Sequence, residues 1–377
     1  MTMELKRIGN GMVLLPGFAD VHVHLREPGF SYKETISGGS RAAARGGYTA
    51  VCTMPNLQPA PDCPAALEVQ LELIRRDAVI PVLPFGTITK GQKGKEAAEL
   101  EALAPQVCGF SDDGFGVADG GLMKEAMERA RALGKIIAAH CEDTRYAPED
   151  PSSEWREVER DLQLALDTRC ALHLCHLSSA VSLELLRQAR KDGADVTCET
   201  APHYLLLDET RRRDSGNWKM NPPLRSPKDR EALLAGLMDG TVDMIATDHA
   251  PHSAEEKSRG FAGSLNGIVG LECAFAVLYT GLVEPGLLTL EGLCALMSEN
   301  PRRRFGLPEA SFTLFELEKS YVLEPEEFLS QGRSTPFAGS TLRGRCLLTL
   351  WEGKPVWREA GLSEALEEEV LDIIAHS

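Results

Sequence analysis

Two histidines one residue apart, His22 and His24, close the apolar run Gly17–His24. Side chains alternate along a strand, so both imidazoles point the same way. Neutral imidazoles so paired grip a divalent cation such as zinc. The chain turns at once into Arg26-Glu27-Pro28-Gly29, which sets a fixed guanidinium beside them. Other apolar runs also end in titratable groups: Asp112-Asp113-Gly114, His140-Cys141-Glu142-Asp143, Cys175-His176 and Thr247-Asp248-His249. His140 and His176 are placed to serve a second cation, which needs an anionic bridge to sit near the first. No lysine lies between Lys95 and Lys124, so the bridge falls to Asp112 or Asp113, and the residues themselves do not choose. Metal binding lowers the pKa of water towards neutrality. A neighbouring carboxylate, Asp248, would take that proton and pass it to a leaving nitrogen.

Such a set needs elements that deliver it to one place. Eight short apolar runs alternate with longer amphipathic segments: Gly17–His24, Tyr48–Met54, Ile80–Gly86, Val107–Ser111, Lys135–His140, Ala171–His176, Asp195–Glu199 and Val242–Thr247. Helical spacing marks Ala65–Arg76, Leu122–Leu133, Leu183–Asp192 and Pro227–Met238 between them. Eight βα units predict an α/β fold, a (β/α)8 TIM-like barrel with its chemistry at the C-terminal strand ends. His22, His24, His140 and His176 fall on those ends, with His249 and His252 just beyond. No Gly-rich phosphate loop follows any strand, which counts against an open nucleotide-binding sheet. His173 faces away from His176 by parity and reads as core; His203 reads as loop packing.

After Leu307 the pattern changes. Phe312–Leu323 and Cys346–Trp357 read as short strands, the second a hairpin. The predicted division is therefore 16–307 as barrel, 1–15 plus 308–359 as a reduced β appendage, and 360–377 as an amphipathic tail helix packed on the barrel or a second subunit. Gly267–Val283 reads as one buried barrel helix, because it carries Glu272 and is too short to span a bilayer.

Hydrophobic residues make up 43% and charged residues 25% of the 377, the balance of an ordinary globular protein. A net charge of −16 excludes nucleic-acid and anionic-membrane partners. A small anionic substrate would then need local cations. Ten cysteines without paired spacing predict reduced thiols and a cytoplasmic location. Met1–Gly11 has no apolar core, so no secretory signal is expected.

Taken together, Asp20–Gly29, Met54-Pro55-Asn56, Ser111–Gly114, His140–Asp143, Asn221-Pro222-Pro223-Leu224-Arg225 and Ala246–His252 resemble the dihydroorotases of the amidohydrolase superfamily. The resemblance is to the bacterial type with aspartate in place of a carboxylated lysine. It runs from Pro16 to Arg303 and returns at Thr335-Pro336-Phe337. It implies zinc-dependent, reversible cyclisation of N-carbamoyl-L-aspartate to (S)-dihydroorotate in pyrimidine biosynthesis, with two Zn2+ per subunit. By motif, His22 and His24 would bind one zinc and His140 and His176 the other. Asp113 would bridge, and Asp248 would be a ligand and the general acid/base. Arg26 and Asn56, assisted by His252, would hold the substrate carboxylate, with Asn221 and Gly267 facing the ring. Ser253–Gly263 would be a mobile loop.

Hydantoinases and allantoinases share the His-x-His pair and the final aspartate, but carry the lysine and lack Arg-Glu-Pro-Gly. A non-catalytic dihydroorotase-like scaffold would have lost metal ligands, whereas this chain has the full set. The resemblance leaves room for a homodimer and for association with aspartate transcarbamoylase. Family members carry more strands before the Pro-Gly-Phe-Ala-Asp stretch, and a longer connection between the positions of His140 and His176.

Overall fold

The computed structural model of the chain describes residues 5–9, 11–309 and 311–375. Strands β1 (Lys6–Ile8) and β2 (Met12–Pro16) form an antiparallel hairpin. Eight parallel strands follow: β3 (Phe18–Val23), β4 (Tyr48–Thr53), β5 (Val82–Pro84), β6 (Gly109–Phe110), β7 (Ile136–Ala139), β8 (Leu172–Leu174), β9 (Val196–Thr200) and β10 (Met244–Ile245). They pair in chain order, β3 to β5 and β6 to β10. Single bridges join Gly86 to Phe110 and Val23 to His249, and these close the ring. The predicted barrel is therefore present, most strands a little shorter than their apolar runs and β9 shifted by one residue.

The inside is filled. Ala19, Val21, Ala50, Phe85, Ile136, Ala138, Met244 and Ala246 pack together with Phe305 and Leu307. Arg302 seals the N-terminal end by donating to the Gly17 and Phe18 carbonyls and the Thr49 hydroxyl. Only the opposite, C-terminal end stays open for chemistry.

The predicted helices form at Pro64–Asp77, Gly120–Ala132, Ala180–Lys191 and Pro227–Met238. Caps set several starts: the Asp119 and Ser179 side chains accept first-turn amides, and Ser226 with Asp229 makes a capping box ahead of Pro227. Residues 267–283 are not one helix. Gly267 has φ +135°, Ile268 bridges to His249, and the helix runs only from Ala274 to Leu278 before a π-helical turn, Tyr279–Val283. The apolar run reflects burial, and burial without clear periodicity does not separate loop from helix.

The appendage adds β11 (Phe312–Glu316), β12 (Tyr321–Val322), β13 (Thr341–Leu342), β14 (Arg345–Trp351) and β15 (Lys354–Arg358). Five of its strands make one antiparallel sheet in the order β1-β2-β11-β14-β15. The β14–β15 turn has both Glu352 and Gly353 at positive φ, as a tight hairpin requires. Phe18 packs on Tyr48, Phe275 and Phe315 at centroid distances of 5.7, 5.3 and 5.6 Å, joining barrel to sheet. The tail helix, Glu364–Ala375, buries Val370 against Leu14, Leu314, Leu348 and Leu362. It lies on this sheet, where the barrel or a second subunit was the expected partner. The predicted ends at residues 1–4 and 376–377 fall outside the described residues. No helix among the described residues is long and apolar enough to cross a membrane. All ten cysteines are free thiols, eight of them buried.

Candidate active site

Histidines from three strand ends converge on one carboxylate. Asp113, after β6, lies 3.2 Å from His22 Nε2, 3.4 Å from His24 Nε2, 3.3 Å from His140 Nδ1 and 3.5 Å from His176 Nε2. Asp248, after β10, lies 3.2 Å from His24 Nε2 and 3.6 Å from His22 Nε2. The donors fall into two buried triads, His22–His24–Asp113 and Asp113–His140–His176, with ligand atoms within 4.8 Å of one another. Asp113 belongs to both. Asp112 instead turns away to accept the Ile88 and Thr89 amides at 2.8 and 3.1 Å.

This cluster fits a divalent metal. His22 Nε2 and Asp113 Oδ1 are buried and have no hydrogen-bond partner, although they approach to 3.2 Å. Each unsatisfied buried polar atom costs about 1–3 kcal/mol, and a cation between them removes that cost. Imidazole with carboxylate is also a donor set that zinc accepts. Burial pushes the Asp113 and Asp248 carboxyls up, but the imidazoles around them hold both below the usual carboxylate range. Arg26, His176 and Asp248 have φ of +59°, +34° and +48°. Left-handed backbone is rare for such residues and gathers at functional sites.

Above the cluster opens a cavity of about 420 Å³ lined in part by Arg26, Lys33, Asn56, Asn221, His252 and Gly267. The sequence-predicted site residues thus meet in one place.

Residues 11–150 match the family described as dihydro-orotase-like. A dihydroorotase of Fusobacterium nucleatum subsp. nucleatum is 47% identical over 364 residues, covering 90% of this chain and 86% of that protein. A dihydroorotase of a Geobacillus species is 45% identical over 376 residues, covering 93% and 88%. The chain belongs to the dihydroorotase family. Among solved structures, an L-hydantoinase from Arthrobacter aurescens superposes with TM-score 0.81 at 24% identity over 92% of this chain and 85% of that one. A dihydropyrimidinase from Brevibacillus agri gives 0.82 at 22% identity, with the same coverage. These share the fold.

In this dihydroorotase-family chain a second layer orients the imidazoles. His22 Nδ1 is 2.6 Å from Glu199, His24 Nδ1 is 2.9 Å from Asn56 Oδ1, and His140 Nε2 is 3.1 Å from Glu142. Each contact fixes which ring nitrogen faces the centre. Glu199 also holds His173 Nε2 at 3.0 Å, so His173, though core as expected, belongs to this support. Sequence reasoning missed Glu142 and Glu199. Glu199 sits in Cys198-Glu199-Thr200 at the end of β9, and the strand-end rule that found the histidines points to it too.

The pocket wall is more closely tied than expected. Asn221 donates to Glu142 at 2.9 Å. His252 Nε2 is 2.7 Å from the Asn266 carbonyl, and its Nδ1 is 3.3 Å from Lys33 Nζ. Burial, together with Arg26 and Lys33, pushes the His252 pKa down to about 3, so it stays a neutral imidazole. Arg26, whose Nε donates to the Pro251 carbonyl, is lowered by burial to about 10 and keeps its charge. Residues 253–263, expected as a mobile loop, carry local helical structure. They make two short helices, Ala254–Lys257 and Gly260–Gly263, and Glu256 pairs with Lys33 at 3.0 Å. At Gly267 a Cβ would meet the Ala250 carbonyl at 2.5 Å, so only glycine fits. Its N–H donates to Lys219 and its carbonyl accepts from Lys257, so both backbone polar groups are used by the protein.

Proposed function

We propose that this chain is a zinc-dependent dihydroorotase of the cytoplasm, interconverting N-carbamoyl-L-aspartate and (S)-dihydroorotate in pyrimidine biosynthesis. The observation that carries the reading is Asp113 shared by two histidine pairs in the same cavity as Arg26. His22 and His24 would hold one zinc, His140 and His176 a second, with Asp113 between them and Asp248 completing the set. Zinc so held polarises an amide carbonyl and brings the pKa of water near neutral.

The remaining work belongs to the chain. Arg26 presents a forked donor set that matches the free carboxylate of both ring and open chain. Asn56, with its Oδ1 engaged by His24, offers its amide nitrogen to the same carboxylate. Asn221 and His252 bound the ring. Asp248 receives a proton from the attacking water as the ring opens and delivers it to the departing nitrogen. In ring closure the same carboxyl gives its proton to the departing oxygen. The test pairs zinc analysis with turnover of dihydroorotate, hydantoin and allantoin on one preparation. About two zinc ions per chain with dihydroorotate preferred is the expected result. Preference for hydantoin or allantoin, which lack the carboxylate that Arg26 would bind, overturns the reading.

A further inference from the structure

Lys257 ends the one-turn helix Ala254–Lys257 and is 7% exposed. Its Nζ donates to three backbone carbonyls: Lys219 at 3.0 Å, Leu265 at 2.8 Å and Gly267 at 2.6 Å. An ammonium has three N–H donors, so all are used. Among the described residues no carboxylate forms an ion pair with it. Burial, with Lys219 and Arg26 nearby, pushes its pKa down to about 7. An enclosed cation with no carboxylate bonded to it, only the field of neighbouring Glu256, is costly, and a methionine would fill the same space without that cost. The three carbonyls show what the charge is for.

They come from two segments that form one side of the pocket. Lys219 lies two residues before Asn221, and Asn266 and Gly267 line the cavity directly. The Lys219 carbonyl also accepts the Gly267 amide at 3.0 Å. From the other side, Gly216 presses on the Lys257 backbone so closely that a Cβ there would sit 2.2 Å from its carbonyl oxygen. Movement of residues 265–267 would reach His252, which is bound to Asn266. Lys257 itself does not line the cavity. It is no catalytic residue.

We propose that Lys257 is a positioning residue, a three-donor tie that holds residues 219–221 and 265–267 in the register that binds substrate. The proposal rests on reading this cavity as the dihydroorotate site. Lys257→Met removes the donors and keeps the bulk. Its KM for dihydroorotate should rise by about 10-fold or more, with kcat within about 3-fold and zinc content unchanged. Hydrogen–deuterium exchange should quicken in peptides covering 216–223 and 263–269 and stay unchanged in the barrel strands. Lys257→Ala leaves a space that propylammonium matches, and adding that cation should lower KM again. An unchanged KM with unchanged exchange overturns the proposal, as does a loss confined to kcat. If Lys257→Met does not fold, Lys257→Ala refolded with propylammonium decides, and fold recovered without a low KM overturns it. A wild-type protein inactive on dihydroorotate would overturn the functional reading instead, while the exchange measurement still tests the tie.

Discussion

Along the floor of the pocket the metal-facing groups stand at barrel strand ends, whereas along its wall they stand on loops. His22 lies near the end of β3, and His140, His176 and Asp248 lie within a few residues past β7, β8 and β10. Their supports, Glu199 and Glu142, are also at or beside strand ends. Arg26, Lys33, His252 and Asn266 lie in connections and are tied by cross-loop hydrogen bonds, Arg26 to the Pro251 carbonyl, Lys33 to His252 and His252 to the Asn266 carbonyl. A strand end is fixed by ladder bonds on both sides, so its backbone needs no further tie and its imidazoles need only the acceptors behind them. A loop needs its own fastenings, here lysines, a histidine and carbonyls. The floor can therefore be damaged through its donors and the acceptors that orient them, and the wall through its ties.

The largest effect should come from the floor. Asp113→Ala is expected to strip metal and activity together, because the imidazoles then surround two cations with no anion between them. Asp112→Ala should keep zinc and lose about 1–3 kcal/mol of stability, since the Ile88 and Thr89 amides lose their acceptor. Metal analysis of both proteins, with a thermal melt, separates the two. If Asp112→Ala empties the site, Asp113 is not the shared ligand.

Next comes the wall's main charge. Arg26→Lys keeps the charge but loses the paired donors, and should weaken substrate binding by about 2–3 kcal/mol while zinc stays bound. Steady-state kinetics with metal content reads this directly; a normal KM would mean Arg26 does not meet the carboxylate. A smaller floor effect follows for Glu199→Gln. Losing the carboxylate behind His22 should weaken metal affinity by about 10–100-fold, seen by chelator competition, with KM little changed in the zinc-saturated enzyme.

The same contrast explains what the sequence made legible. Strand ends announce themselves, because an apolar run that stops at His, Asp or Glu has one physical reading in a barrel. That rule located His22, His140, His176 and Asp248, and applied to Cys198-Glu199-Thr200 it reaches Glu199 as well. Choosing Asp113 over Asp112 needed the structure, since adjacent carboxylates differ only in which way the chain turns after Phe110. Loop ties were not legible. Lys33 and Glu256 are more than two hundred residues apart, and nothing local in either segment records the other. For the same reason the short helices within residues 253–263 were not foreseen, and the apolar stretch before Ala274 read as helix. The tail helix and a β appendage drawn from both ends of the chain were visible, but the packing of one on the other was not.

The smallest effect tests whether floor and wall are mechanically separate. Glu256 accepts the Ser253 amide at 3.1 Å and the Tyr32 hydroxyl at 3.2 Å, and pairs with Lys33 at 3.0 Å. Glu256→Gln keeps the shape and one acceptor oxygen but removes the charge, in a pair near the surface worth about 0–1 kcal/mol. KM should therefore rise about 2–5-fold, with kcat and zinc content unchanged. Burial raises the Glu256 carboxyl, but Lys33 and the Ser253 amide outweigh this and bring it from 4.5 to about 2. A carboxyl lowered on folding contributes fully above its unfolded pKa and loses that contribution as pH falls towards the folded value. The ratio of variant to wild-type KM should thus be flat from about pH 6 to 9, where the carboxylate stays ionised. Stability curves of the two proteins should draw together as pH falls below 4.5 towards about 2. Kinetics at three pH values, with zinc measured on each sample, make the check. A variant that lost zinc, or whose kcat fell more than its KM rose, would show the clasp reaching the strand ends, and the division between floor and wall would have to be given up.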